Sequence, residues 1–199
     1  MKRIAIIGAG GHAKVIVDLI NELNIYKIVG FYDDNITSKL YDIVNLGKIN
    51  NIDNSIENFI IGIGNDKIRK KIFDNNKNLK WVTLIHPSAI VSKNVTIDSG
   101  TVVCAGSIIQ TDVKIGKQCI INTGCSIDHE CIINNFCSIC PRATLCGQIK
   151  IGTLSFIGAN STIIQCLNIG SNCIIGAGSV IIKNIENNCK VVGNPSRII

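Results

Sequence analysis

The chain has 199 residues, a formal net charge of +6, 46% apolar residues and only 5% aromatic ones. Its cations are scattered, the densest run being RKK at 69–71, and no stripe of Lys and Arg is interleaved with aromatics, which excludes a nucleic-acid-binding surface. No apolar stretch reaches the length of a membrane span; the short run after MKR is interrupted beyond the glycines by His12 and Lys14, reads as a buried strand rather than an export signal, and predicts a cytoplasmic protein with ten free thiols.

The first predicted strand is RIAIIG, residues 3–8. It runs into GAGGHA at 8–13, which fits the glycine fingerprint G-x-G-x-x-G/A of a dinucleotide site and opens a helix, GHAKVIVDLINEL. A second strand, KIVGFYDD, ends in Asp33 and Asp34. A third, NFIIGIGN, ends in Gly64 and Asn65, and Asp66 opens a second helix, DKIRKKIFDNN. KWVTLI then leads to HPSA. This alternation is a small parallel α/β unit, assigned to residues 1–83. It is a Rossmann-like half domain, because about 80 residues hold only one of the two βαβαβ halves of a dinucleotide fold. The loop physics survives without the second half: backbone amides at a helix N-terminus bind a phosphate, and an acid at a strand end accepts hydrogen bonds from a ribose or sugar. The glycines would otherwise serve only to turn the chain tightly from strand to helix.

Residues 84–199 are assigned to a second domain with a C-terminal tail, in which the chain repeats every six residues from Ile85 to Ile181. Stepping from Ile85 through Val91, Ile97, Val103 and Ile109 to Ile181, all seventeen positions are Ile, Val or Leu, with no break in register. A hexapeptide period is that of a parallel β-helix in which three hexads close one coil. The residue after each aliphatic is often Gly, Asn or Asp, as at Asp98, Gly116, Asn122, Asp128, Asn134 and Gly152, and these types are expected to supply positive φ at each corner. Two residues before each aliphatic the side chain is small, except at Val95, Val113, Ile149 and Leu167. Those four and Cys131 recur every 18 residues, which sets the coil at three hexads and makes one face larger-packed than the others. Cys119, Cys125, Cys131, Cys137 and Cys173 fall at the small inward position, where a thiol acts as a small hydrophobe. CSIC at 137–140 is half of a zinc site with no second half, so no metal is expected.

The chain has three histidines, His12, His86 and His129. His129 follows Ile127 by two residues and is flanked by acids in DHE, so either Asp128 or Glu130 could orient its ring as a general base. Gly147 stands 18 residues on, stacked about 5 Å away by strand spacing, and its amide could face a developing oxyanion. A carbonic-anhydrase zinc site on the same coil would need three histidines, and the coil supplies His86 and His129 only.

INTGCSIDHECIINNF, ATLCGQIKIG, FIGANS, IIGAGSVIIKNI and the terminal VVGNPSRII resemble the hexapeptide acyltransferases. The leading IIGAGGHAKVIVDLI, GFYDD and IGIGNDKIRKKI narrow the resemblance to sugar acetyltransferases of bacterial glycan pathways. These include sialic-acid O-acetyltransferase-like proteins and N-acetyltransferases of nucleotide-linked 4-amino-6-deoxy sugars. The resemblance spans essentially the whole chain and implies a left-handed β-helix, acetyl-CoA as co-substrate, and a homotrimer with active sites between neighbouring coils. It implies that His129 is the general base, that Glu130 tunes it, and that the Gly147 amide meets the thioester carbonyl. Acetyl-CoA would run past Ala159 and Ala177, and the nucleotide-sugar would use Gly10, Gly11, His12, Asp33, Asp34, Gly64 and Asn65. Ser138 stands where many relatives have a second histidine near the acetyl group, so its hydroxyl would make that contact. Arg142 stands where glycine is common, either reaching coenzyme A phosphates or lying on the surface. DHE resembles the amino-sugar enzymes and favours N-acetylation; the alternatives are an O-acetyltransferase and a non-catalytic binder of NAD or a nucleotide-sugar.

Overall fold

The computed structural model describes residues 1–35 and 37–199. They divide into two compact units, Met1–Pro87 and Ser88–Ile199.

In the first unit, β1 (Lys2–Ile7), β2 (Tyr26–Tyr32), β3 (Asn45–Gly47) and β4 (Asn58–Ile61) form a parallel sheet in the order β3-β2-β1-β4. The short edge strand β3 was not visible in the sequence pattern; it is three residues long and only half-buried, so it carries little periodicity. Alternation along β1 sends Ile4 and Ile6 to one face and Ala5 and Ile7 to the other, and all four are fully buried. Ala5 and Ile7 pack with Tyr32, Phe59, Ile72 and Trp81. The helix α1 (Gly11–Leu23) buries Ala13, Ile16, Val17, Leu19 and Ile20, the one-sided spacing of an amphipathic helix. The helix α2 (Asp66–Asn75) is capped by Asn65, whose side chain accepts from the Ile68 N–H at 3.0 Å. Strand β1 lies between β2 and β4, so the order reverses there. In open parallel sheets ligands bind at such a reversal, beyond the carboxyl ends of the strands.

The second unit is a left-handed parallel β-helix. Each turn is three two-residue strands, for example Ser126–Ile127, Ile132–Ile133 and Ser138–Ile139. Through the strand at Val180–Ile181 partners lie 18 residues apart, as in Ile127 with Leu145, Ile133 with Ile151 and Ile139 with Ile157, and the last turn is two residues shorter, Ile175 pairing with Val191. The aliphatics from Ile109 to Ile181 point inward and are at most 2% exposed. Val113, Cys131 and Ile149 precede strands of one face only, the five-stranded sheet that holds Lys114–Ile115, Ile132–Ile133 and Lys150–Ile151. The chain ends in an antiparallel pair, Lys190–Val192 with Arg197–Ile198.

Two readings of the repeat change. The corner residue with positive φ is the third after each aliphatic, not the first: Asp112, Gln118, Glu130, Phe136, Arg142, Gln148, Leu154 and Cys166 all have φ between 55° and 63°. Left-handed backbone costs a residue with a Cβ about 1–2 kcal/mol. Here the N–H groups from Gln118 to Cys166 in this set are satisfied by the turn below, as Glu130 N–H is by Thr111 O at 3.1 Å and Gln148 N–H by His129 O at 2.9 Å. The glycines after the aliphatics are needed for space instead. A Cβ on Gly152 would lie 2.4 Å from the Ser171 nitrogen, and one on Gly158 2.5 Å from that of Ala177. The inward small position also proves to want a donor. Cys119, Cys125, Cys131 and Cys137 each place Sγ 3.1 Å from a carbonyl oxygen of the next corner, and Ser155 and Thr101 place a hydroxyl 2.7 Å from one. Burial pushes the Cys125 thiol up to about 12 and that of Cys131 up to about 11, so these sulfurs stay protonated.

Candidate active site

His129, Glu130 and Gly147 come together on one edge of the coil. The Ile127 strand ends there, and Asp128 accepts the His129 backbone N–H on Oδ1 at 2.8 Å, which turns the chain outward. The imidazole Nδ1 lies 2.9 Å from Glu130 Oε2, so Glu130, not Asp128, orients the ring. Side-chain exposures of 49% and 51% leave both within reach of a ligand. Hydrogen bonds from Gln148 and then His129 hold the Glu130 carboxyl below the usual carboxylate range. An ionised Glu130 accepts from Nδ1–H and leaves the lone pair on Nε2, the form a general base needs. The Nε2 edge lies over Gly147: a Cβ built there would be 2.6 Å from both Nε2 and Cε1.

The Gly147 amide is the other half of this corner. At the equivalent place in other turns the N–H is taken by a short polar side chain: that of Thr123 by Asn122, of Lys117 by Asn135, of Ser171 by Asn187. Cys146 precedes Gly147 instead, and the Gly147 N–H has no acceptor among the described residues. Gln148 is a site residue that the sequence reading missed. It donates to Glu130 Oε2 at 3.0 Å, and its signal is the 18-residue step from Glu130.

The structure places Ser138, Ala159 and Ala177 elsewhere on the coil. Ser138 lies in a strand of a different face and is 5% exposed. Ala159 and Ala177 stack on successive turns of the edge after that face, where the Gly178 N–H meets Ala159 O at 2.8 Å. Arg142 occupies the left-handed position of that same edge, with its Cγ beside Gly124.

The remaining candidates cluster where the sheet order of the first unit reverses. Gly10 is the N-cap of α1, and Gly64 and Asn65 leave β4 beside it. A Cβ on Gly10, Gly11 or Gly64 would meet nothing within 4 Å, so packing does not require glycine there. Gly8 and Gly62 are required by packing, being pressed against Ile63 and Ala13. The acids are partly committed inside the protein. Asp33 accepts from the Ala9 N–H at 2.9 Å and braces the glycine loop, and Asp34 accepts from the Ile49 N–H at 3.1 Å. The buried Arg69 donates to the carbonyls of Ile63 and Gly64 and fixes the loop after β4. A cavity of about 660 Å³ lined by Val17, Asp18, Asn21, Tyr26 and Tyr41 lies toward the other end of α1, and none of the candidate residues lines it.

Burial, with the nearby Arg69 charge, pushes the His12 imidazole from its ordinary 6.5 down to about 4. Its Nε2 is enclosed and has no hydrogen-bond partner among the described residues. Between those two values the unfolded chain holds a proton that the folded one refuses, so stability must fall as pH drops through that window. Acidification from pH 7 to 4 should cost the first unit roughly 3 kcal/mol from this group. Trp81, the only tryptophan, is buried in that unit and reports its unfolding by fluorescence. His12→Asn should flatten the pH slope of the urea midpoint; an unchanged slope would refute the assignment.

Among the described residues no helix is long and apolar enough to cross a membrane, and no group of three or more His, Cys, Asp or Glu is placed to hold a metal ion. Residues 3–76 match the PglD N-terminal domain family. The chain is 38% identical over 117 residues to UDP-N-acetylbacillosamine N-acetyltransferase of Bacillus subtilis (strain 168), a match that covers 53% of this chain and about half, 52%, of that relative. The acetyltransferase domain of PglB from Neisseria gonorrhoeae superposes with a TM-score of 0.95 at 33% identity, covering 100% of both chains. A mutant of perosamine N-acetyltransferase from Caulobacter crescentus, solved with CoA and GDP-perosamine, gives a TM-score of 0.95 at 28% identity over 100% of this chain and 97% of that one. The fold and these likenesses together define the class, acetyltransferases built on a β-helix. The chain belongs to the hexapeptide-repeat sugar acetyltransferases.

Proposed function

We propose that this protein transfers the acetyl group of acetyl-CoA to the amine of a nucleotide-linked 4-amino-4,6-dideoxy sugar, in the synthesis of a bacterial surface glycan or glycoprotein. The observation that carries the reading is the His129 ring, tied at Nδ1 to Glu130 with Nε2 over Gly147. The sugar amine sits against Nε2 and attacks the thioester carbonyl as the histidine removes its proton. The Gly147 N–H donates to the oxyanion of the tetrahedral intermediate. Collapse breaks the carbon–sulfur bond, and the imidazolium returns its proton to the departing coenzyme A thiolate. No acyl-enzyme forms, consistent with inward cysteines whose thiols stay protonated.

Within one coil, His129 lies on one edge and Ala159 and Ala177 on another. Three-fold association would set the base edge of one copy against the acetyl-CoA edge of the next, and a homotrimer is the assembly proposed. The glycine loop with His12, Gly64 and Asn65 takes the nucleotide diphosphate at the N-terminus of α1. Ten free cysteines fit a reducing cytoplasm.

The test is product mass spectrometry with acetyl-CoA and either a UDP-linked or a GDP-linked 4-amino-4,6-dideoxy sugar. A mass gain of one acetyl group on one of them is expected. Failure of both sugars to gain mass or to bind would overturn the reading.

A further inference from the structure

The edge that carries His129 holds a line of side chains of which the mechanism above uses only the first, Glu130. Glu130, Gln148 and Cys166 occupy the left-handed corner position of three successive turns. Their backbones are fixed by the coil, with the Gln148 N–H on His129 O at 2.9 Å and the Cys166 N–H on Gly147 O at 3.0 Å. Their side chains connect as well. Gln148 Nε2 donates to Glu130 Oε2 at 3.0 Å, and the Cys166 thiol donates to Gln148 Oε1 at 3.3 Å. With Lys150 and Asn168 they line an open groove of about 340 Å³.

We propose that Gln148 is a positioning residue for the base: its amide, held in one orientation by Cys166, pins the Glu130 carboxylate against His129 Nδ1 and so keeps Nε2 free of hydrogen. The inference rests on His129 acting as the base. The two ends of the amide are assigned from their partners. A carboxylate accepts and never donates, so the nitrogen must face Glu130, and the oxygen is then left for the thiol. The donors converge on the Glu130 carboxylate: Cys166 S–H to Gln148 Oε1 and Gln148 Nε2–H to Glu130 Oε2 from the turns above, and Nδ1–H of His129 to the same Oε2. Glu130 is half-exposed, and without Gln148 its carboxylate rotates among several conformers in water, only some of which face the imidazole. Free imidazole then shares its proton between the two nitrogens, and a ring protonated at Nε2 cannot accept from the amine. The other titratable groups around this line are Asp112 one turn below Glu130, Asp128 beside the ring, Cys146 and Lys150; the hydrogen bond at Nδ1 is to Glu130.

The experiment is nitrogen NMR of the His129 ring in the full-length protein, labelled at histidine, beside steady-state kinetics with acetyl-CoA and the sugar found above. The wild type should carry its ring proton on Nδ1. In Gln148→Met, which keeps length and loses both polar ends, the Nε2–H form should become the major one. The same variant should lose about tenfold in kcat while KM for acetyl-CoA stays within about twofold. Gln148→Ala serves as a second variant should the first melt early. A wild-type tautomer and wild-type kcat in a folded Gln148 variant would overturn the inference and leave the base assignment standing. A wild-type ring already protonated at Nε2 would overturn both.

Discussion

His129→Ala should lower the rate of acetyl transfer by roughly 10²–10⁴-fold, the contribution of a positioned general base. The protein should fold and melt as the wild type does. The ring is half-exposed, its side-chain hydrogen bond is to Glu130, and the backbone N–H that Asp128 accepts is untouched by the change. What disappears is the group that takes the amine proton, so kcat should fall far more than the affinity for acetyl-CoA. Asparagine at the same place should do no better, because an amide is not a base at neutral pH. Kinetics with acetyl-CoA, beside a thermal melt, decides it. A variant that keeps more than about a tenth of wild-type kcat would move the base to another residue.

Gly147→Ala should cost nearly as much by a different route. The new methyl would sit 2.6 Å from His129 Nε2 and Cε1, closer than non-bonded atoms tolerate. Something has to shift, and the atoms in the way are the far end of a surface side chain. The backbone at Gly147 has no positive φ, so alanine fits it without strain. Stability should change by less than about 1 kcal/mol. The ring, displaced by about 1 Å, would leave its place against Glu130 and the acceptor, for which a loss of around 100-fold in kcat is reasonable. Gly152→Ala is the contrasting change. Its methyl would strike backbone atoms of Ser171 and Gly170, which cannot rotate away, so it should lower the melting temperature first. If Gly147→Ala and His129→Ala act on the same group, the double variant should be no slower than His129→Ala alone.

The features that were legible in the chain are those set by periodicity. Inward aliphatics announce themselves every six residues because each hexad buries one, and Val95, Val113, Cys131, Ile149 and Leu167 mark the coil length because they share one packed face. The corner was misread because composition was taken as a guide to φ. Asn, Asp and Gly do favour the left-handed region, but a hydrogen bond to the turn below lets Phe136, Leu154 and Arg142 adopt it too. His129 stood out as the proposed base by its acidic neighbours, whereas the choice between Asp128 and Glu130 as the ring's partner needed side-chain directions that spacing does not contain. Gln148 and Arg69 escaped for a related reason. Each works through one long side chain, Gln148 on the Glu130 carboxylate and Arg69 on the loop after β4, and the segments ATLCGQIKIG and IGIGNDKIRKKI that contain them do not show where those side chains reach.

The 18-residue pairing, kept up to Ile181, gives the coil something like a reading frame. Neighbours across turns are found by adding 18, as for Glu130 with Gln148 and Gln148 with Cys166. A one-residue deletion inside the coil would turn every later aliphatic outward, while removal of a whole turn would keep all of them inward and bring distant columns into new adjacency. Single substitutions of outward side chains that meet no backbone of the next turn, unlike Gly152→Ala, leave the frame untouched. The edge beside His129 is therefore a text that can be rewritten one letter at a time, and the scaffold is indifferent to what it says.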